Sequence, residues 1–352
     1  MSRYVIVGAG AVGVTLAAQL REAGREVLLV ARGEQLDALR AGKLRYSRPE
    51  GTRHLSLPVA DAAEAGAGLT DGDLLVLATK TQDAEPVLAE WAWRPVRQAD
   101  GTWRSAAASL PVITLQNGLE AERAALRRFA VVFGSVLWVA AGYVGADEVV
   151  APSAPVVGTA WIGAYPGGSH PLLAAVAADL EAGGFRARVV SDIRRWKAAK
   201  LLSSVTFALS ALYQPGPLRG RAEQLLRAEA REILTASGQD IADITAGGSP
   251  IAGRPSVRTG AVWQRYGGNS TWQSLTRSGT VETDFLNGEI VLAARLLGRT
   301  APANEAILER VHQARREGTP AGSLGADDLL AVLPQLSRGV VTDATGAESA
   351  AR

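Results

Sequence analysis

The chain has 352 residues, 47% apolar and 20% charged, the proportions of a soluble globular protein long enough for two domains with separate cores. A net charge of +2 with no long basic block points away from nucleic acid as a partner. Cysteine is absent and the three histidines (His54, His170 and His312) lie far apart, which excludes disulfides, a thiol nucleophile and cysteine-bound metal; no metal is expected.

No apolar run reaches the length of a membrane span, and the first strand begins almost at Met1, leaving no room for a signal peptide. A cytoplasmic protein that meets no membrane is the expectation. Tyr4-Val5-Ile6-Val7 is a β-rich run that ends in Gly8-Ala9-Gly10-Ala11-Val12-Gly13. A helical pattern follows (Val14, Leu16, Ala17, Leu20), then Gly24, then a second apolar strand, Glu26 to Val30. G-x-G-x-x-G between a strand and a helix, within a unit of about 30 residues, is the dinucleotide fingerprint. Gly8 permits the tight turn, Gly10 lets the backbone approach a pyrophosphate, and Gly13 lets the helix pack closely on the strand. The helix N-terminus offers free N–H groups and a positive dipole end to phosphates.

The second strand ends Val30-Ala31-Arg32, without the acid that binds the ribose hydroxyls of NAD. Arg32 suits a 2′-phosphate instead, so NADPH is expected over NADH. Arg32 to Leu39 reads as a short helix, and Leu44 to Val59 as a hairpin around Pro49-Glu50-Gly51. Asp73 to Lys80 is a buried parallel strand, and its terminal Lys80 faces the crevice where such sheets bind ligands. A helix over Ala84–Trp91 precedes Trp93 to Trp103, in which Asp100-Gly101 signals a hairpin. Its tryptophans, with Trp263 and Trp272, are read either as core aromatics or as the lining of an enlarged pocket. Pro111 to Leu115 is another buried strand; it ends in Gln116-Asn117-Gly118, where Asn117 is placed to hydrogen-bond a nicotinamide or a substrate oxygen. Further strands are expected over Ala130–Val136, Val149-Val150, Val156-Val157 and Trp161–Gly163, and a helix over Leu172–Ala182 with a strand over Arg186–Val190 closes the domain.

From Asp192, a plausible N-cap, the pattern is helical. Helices are expected from Asp192 through Leu212, then over Arg221–Ser237, Ile241–Ala246, Thr271–Arg277, Thr283–Leu297 and Asn304–Arg316. A last short helix at Asp327–Val332 leads to a small, polar, mobile tail. The domain boundaries expected are 1–191 for nucleotide binding, 192–320 for a helical substrate domain, and 321–352 for the short helix and tail. Trp196, Lys200 and Ser204 share one face of the first long helix. A lysine there, beside a nicotinamide, can protonate the oxygen that becomes negative as hydride arrives, and desolvation makes it a better acid. Lys197 is the rival, but it points about 100° away from Trp196.

At this point the chain resembles the ketopantoate reductase family from Val5 to about Val311. The resemblance rests on Gly8, Gly10 and Gly13, Arg32, Thr79-Lys80, Gln116-Asn117-Gly118, Trp196 and Lys200-Leu201-Leu202. It continues in Ser270-x-x-Gln273, Gly279-x-x-Glu282-x-Asp284-x-x-Asn287-Gly288 and Gly298…Pro302-x-Asn304. It implies an α/β chain: a Rossmann-type doubly wound sheet followed by an all-helical domain of the 6-phosphogluconate dehydrogenase C-terminal-like type. The activity implied is 2-dehydropantoate 2-reductase, the NADPH-dependent reduction of ketopantoate to pantoate in pantothenate biosynthesis. Lys200 would be the general acid, and Glu282 would orient the lysine or a substrate hydroxyl. Ser270 would bind the substrate carboxylate, Asn117 would position nicotinamide and substrate, and Arg32 and Lys80 would hold the cofactor's adenosine end. The Gly8–Gly13 turn, including Ala9, Ala11 and Val12, would hold the pyrophosphate.

The chain departs from the family where asparagines usually follow the lysine; here stand Ser204, then Phe207 and Ala208. Serine has a shorter reach, and the other two side chains form no hydrogen bonds. A substrate site that includes Ser204 and Phe207 therefore suits a larger or more apolar molecule, a bulkier ketone or an imine of secondary metabolism. Two rivals stay open: a dehydrogenase of the β-hydroxyacid or opine type, and a non-catalytic NADPH-binding sensor. A small-molecule substrate and a monomer or homodimer are expected.

Overall fold

The computed structural model describes residues 3–42, 44–244, 257–258, 260–277 and 279–339. The chain divides into two compact units, Met1–Lys200 with Ile241–Gly267, and Leu201–Asp240 with Gly268–Arg352. Sequence pattern instead puts the change of character at Asp192, where helices take over from strands.

In the first unit an eight-stranded sheet runs, from one edge to the other, Arg186–Val189, Gly158–Ala164, Val132–Val139, Val112–Thr114, Asp73–Leu77, Arg3–Val7, Val27–Val30, Val59–Ala60. Every neighbouring pair is parallel except Val132–Val139 with Gly158–Ala164. Alternate residues of each strand enter different cores. Tyr4, Ile6, Leu74 and Val76 pack on one face, and Val5, Val7, Leu75 and Leu77 on the other. Burial on both faces explains why Asp73–Leu77 is an unbroken apolar run after its first residue; each such side chain stabilises by about 1.5–3 kcal/mol. Asp73 itself is satisfied by Arg3, whose Nε donates to it at 2.8 Å.

The expected hairpin at Leu44–Val59 is formed by Leu44–Arg48 and Gly51–Leu55. It joins a second, four-stranded sheet, because Leu44–Arg48 also pairs in parallel with Glu148–Val150, which in turn meets Gly142–Gly145. The tryptophan-bearing hairpin is present as Pro95–Arg97 with Trp103–Ser105. Its buried residue is Val96, whereas Trp93 and Trp103 are 67% and 59% exposed, so neither is a core aromatic.

Several expected elements shift. Val156-Val157 is a bend, with Val157 N–H bonded to Gly184 O, and the strand starts only at Gly158. The long helix from Asp192 is two helices, Ile193–Ser204 and Phe207–Leu212. Asp192 does cap it, accepting from Arg194 N at 3.0 Å. The carbonyl of Val205 at the break is taken by Asn287 Nδ2 at 2.9 Å, which offsets the lost helical bond. Residues 241–244 are not helical, and the remainder of that expected helix, 245–246, with 247–250, lies outside the described residues.

The second unit is helical. Proline at the first turn lengthens two expected helices, giving Pro217–Ala236 and Pro302–Glu317. The helix expected over Thr283–Leu297 is a 3₁₀ turn, Thr283–Phe285, and then the helix Asn287–Leu296. Ser270–Thr276 and Ala326–Val332 are helical as the pattern predicts. Past Val332 a further 3₁₀ helix, Pro334–Gly339, occupies part of the expected tail, and 340–352 lie outside the described residues. No helix among the described residues is long and apolar enough to cross a membrane.

Candidate active site

The glycine turn joins the central strand Arg3–Val7 to the helix Ala11–Glu22. Gly8 has φ of +115°, and a Cβ on it would stand 2.8 Å from the backbone of Ala78 and Thr79. A Cβ on Gly13 would stand 2.0 Å from Gly8 O, so the helix rests directly on the turn. Gly10 differs: a Cβ there meets nothing within 4 Å. The helix N-terminus is therefore open to solvent at Gly10, carries no acid in its first turn, and has no side-chain cap. An open cradle of backbone N–H groups at a positive dipole end fits a dinucleotide pyrophosphate. Ala9 is buried, its carbonyl accepting from Gln35 Nε2, while Ala11 and Val12 are partly buried at the start of the helix.

The neighbouring strands end beside this turn. Arg32, just past Val27–Val30, is exposed, and among the described residues its side chain forms no ion pair. Lys80, just past Asp73–Leu77, is half-buried and precedes the 3₁₀ turn Thr81–Asp83. Asn117, past Val112–Thr114, is half-buried, and its carbonyl accepts from Thr81 Oγ1 at 3.1 Å. Gln116 ties the two strand ends, Nε2 donating to Leu77 O and Thr79 O, both at 2.9 Å. Gly8–Gly13, Arg32, Lys80 and Asn117 thus gather at the carboxyl ends of four adjacent parallel strands, the edge at which open α/β sheets bind ligands.

Lys200 reaches the same edge. Val132–Val139 pairs with its parallel neighbour only through Gly134, so Leu137 lies beyond the end of Val112–Thr114. Leu137 O accepts from Lys200 Nζ at 2.7 Å, and Lys200 is half-buried. The helix that carries it is seated by Trp196, stacked on Trp161 with ring centroids 4.9 Å apart, while Trp138 meets Trp161 edge-on. Lys197 is the buried lysine of this helix, 4% exposed; it donates to Glu122 Oε1 and, at 3.0 Å, to Gln116 O. Nothing in the sequence announces Glu122, which sits 75 residues earlier in the helix Glu120–Leu126.

In the second unit, the helix Ser270–Thr276 packs on Phe207–Leu212. Asn269 joins them: its Oδ1 caps Trp272 N at 2.9 Å, while Nδ2 donates to Phe207 O at 3.0 Å and to Ser210 Oγ at 2.6 Å. Ser270 and Phe207 are thereby brought together, Phe207 half-buried. Ser270 Oγ is shielded from solvent and has no hydrogen-bond partner among the described residues. Sequence reasoning passed over Asn269, although its position at the start of a helix is an N-cap signal. Ser204 and Glu282 are both buried, at 1% and 8% exposure. Asn287 is fully buried, donating to Val205 O and Asn304 Oδ1, and serves the scaffold.

Comparison with known proteins covers both units. The family model described as ketopantoate reductase PanE/ApbA matches residues 4–167, and its C-terminal counterpart matches residues 192–315. The 2-dehydropantoate 2-reductase of Archaeoglobus fulgidus is 26% identical over 320 residues, covering 88% of this chain and 97% of that protein. The crystal structure of a PanE/ApbA family ketopantoate reductase from Ralstonia eutropha superposes with a TM-score of 0.71 at 24% identity, over 90% of this chain and 99% of that one. D-Mandelate dehydrogenase, solved with NADH and anilino(oxo)acetate, also gives 0.71, at 16% identity over 90% and 99%. At those identities the two structures speak for the fold alone.

Proposed function

Because the chain belongs to the ketopantoate reductase family of oxidoreductases, we propose that it is an NADPH-dependent reductase of a 2-keto acid such as ketopantoate, with Lys200 as general acid. The observation that carries this reading is Lys200 Nζ, half-buried and hydrogen-bonded to Leu137 O beside the carboxyl ends of the dinucleotide-binding strands. Bound nicotinamide would supply the hydride. The turn Gly8–Gly13 would hold the pyrophosphate on backbone N–H groups, and Arg32 and Lys80 the adenosine end. Asn117 would orient the nicotinamide and the substrate carbonyl. Lys200 would hold a proton at Nζ and pass it to the carbonyl oxygen as negative charge develops there. Ser270 Oγ would donate to the substrate carboxylate, a role consistent with its unpartnered, shielded hydroxyl. Glu282 would orient the substrate or the lysine.

A second reading concerns the substrate. Ser204 and Phe207 replace the amides expected there, and Ser204 is buried while Phe207 remains partly accessible. That exchange favours a keto acid with a bulky apolar or aromatic substituent over the small hydroxylated ketopantoate.

Loss of NADPH absorbance with ketopantoate and with aromatic 2-keto acids tests both readings. Turnover of any of them should fall about 10²- to 10⁴-fold in Lys200→Ala with cofactor binding retained. Cofactor binding without turnover of any 2-keto acid by the unaltered chain would refute the keto-acid reductase reading.

A further inference from the structure

Lys197 is the one residue of the helix Ile193–Ser204 whose charge is wholly taken into the interior of the first unit, and the proposed chemistry does not use it. Its ammonium has two hydrogen-bond partners, Glu122 Oε1 and Gln116 O. Glu122 Oε1 accepts from Lys197 Nζ and also from Thr114 Oγ1, at the last residue of the strand Val112–Thr114. Thr114 is fixed in turn by Ser135 Oγ, which donates to its carbonyl at 2.8 Å. The second bond of Lys197, to Gln116 O at 3.0 Å, holds the carbonyl of the peptide unit that leads into Asn117. With Gln116 Nε2 on Leu77 O and Thr79 O and with Thr81 Oγ1 on Asn117 O, that bond sets the plane from which Asn117 projects.

The same lysine stands one helical turn before Lys200, whose Nζ is anchored to Leu137 O at 2.7 Å. The helix that offers the proton and the strand end that offers Asn117 are therefore joined through one buried ammonium group. A buried ion pair is weak grounds for stability, since apolar replacements of similar volume often serve as well. It is better grounds for a fixed geometry, because the charge tolerates few positions away from its partners.

We propose that Lys197, paired with Glu122, is a positioning residue that fixes the Gln116-Asn117 strand end relative to Lys200, and so sets the alignment of nicotinamide and carbonyl. This rests on the reductase reading for its catalytic consequence, but not for its structural one. A displacement of about 1 Å at such a site costs on the order of 10²-fold in rate.

The test uses the full chain with Lys197→Met and with the double variant Lys197→Met/Glu122→Leu. Thermal stability, NADPH affinity, kcat and KM for the best 2-keto acid, and amide hydrogen exchange over residues 112–122 are measured. The single variant leaves Glu122 buried without its cation and should be the less stable; the double variant should recover the stability. Both should show faster exchange at 115–119 and a kcat lowered about 10- to 100-fold, with KM and the cofactor's Kd changed far less. A double variant that regains wild-type kcat and wild-type exchange along with its stability would make the pair a packing element and overturn the proposal. If the unaltered chain turns over no 2-keto acid, exchange at 115–119 still decides the role of Lys197, and only the reductase reading falls.

Discussion

Gly10 and Gly13 lie three residues apart in one turn, yet the structure assigns them opposite sensitivities to alanine. At Gly13 an added Cβ would stand 2.0 Å from Gly8 O and 3.2 Å from Ala78 Cβ. Ordinary contact needs about 3.4 Å or more, so the helix Ala11–Glu22 must move by over 1 Å from a turn that is itself fixed by Gly8 N–H on Val30 O. Overpacking of that kind costs about 1–3 kcal/mol, and the clash with backbone places Gly13→Ala at the upper end. At Gly10, φ is −66° and no atom lies within 4 Å of the new methyl group. Loss of glycine's tolerance at the N-cap is offset by reduced freedom of the unfolded chain, so stability should change by no more than about 0.5 kcal/mol. The methyl group would instead occupy the approach to the helix N–H groups. Loss of one hydrogen bond to a charged group is about 1.5–3 kcal/mol, which corresponds to a cofactor Kd raised about 10- to 100-fold. Urea unfolding and NADPH titration of both variants decide the matter. Equal destabilisation of the two, or Gly10→Ala with unchanged Kd, would refute the assignment of the turn as the pyrophosphate cradle.

Arg32→Ala should weaken NADPH binding about 10- to 100-fold and leave NADH unchanged, because only the 2′-phosphate loses its partner; parallel titrations with the two cofactors show whether the preference collapses. Asn287→Leu should lower stability by about 2–4 kcal/mol, since Val205 O and Asn304 Oδ1 both lose a buried donor, and a urea midpoint that did not move would contradict that account. Hydrogen bonding by Arg310, then by Tyr213 OH at 2.7 Å, and last the Arg310 charge hold the Asp328 carboxyl below its usual range against the opposing effect of its burial. A carboxylate depressed in the folded state contributes stability in full above its unfolded value near 3.9, and loses it as pH falls through the lower folded value. Wild type should therefore exceed Asp328→Asn by about 1 kcal/mol at neutral pH, with the gap closing below about pH 4; a gap independent of pH would contradict the ion-pair account.

What could be read from the sequence is what local chemistry encodes. The turn Gly8–Gly13 and the strands beside it declare themselves because glycine spacing and unbroken apolar runs follow from burial on two faces. Asp192 could be recognised as a cap for the same reason, since its oxygen satisfies Arg194 N two residues on. The break at Val205-Thr206 is invisible locally: no glycine or proline marks it, and the group that accommodates it, Asn287, lies 82 residues away. Glu122 gives no local sign of its pairing with Lys197 either, and the choice between the two lysines by helical angle gives Lys197 no role, although it is the more buried. Pairing of Leu44–Arg48 with Glu148–Val150 is equally silent, because strand pattern does not name its partner. Trp93 shows the converse error: aromatic character suggested burial, but the adjoining Trp91 and Val96 supply the inward contacts and Trp93 is left facing solvent.

The seating of Trp196 on Trp161, with Trp138 edge-on to the latter, has an optical consequence. Indoles held 4.9 Å apart couple their excited states, and the coupling depends steeply on ring separation and tilt. The helix that bears Lys200 therefore carries its own spectroscopic gauge, a paired circular-dichroism band that should vanish when Trp196 lifts from the sheet and persist when only the exposed Trp93 and Trp103 change environment. Replacing Trp196 with phenylalanine would identify the band. Thereafter the seating of that helix could be followed in real time without a label.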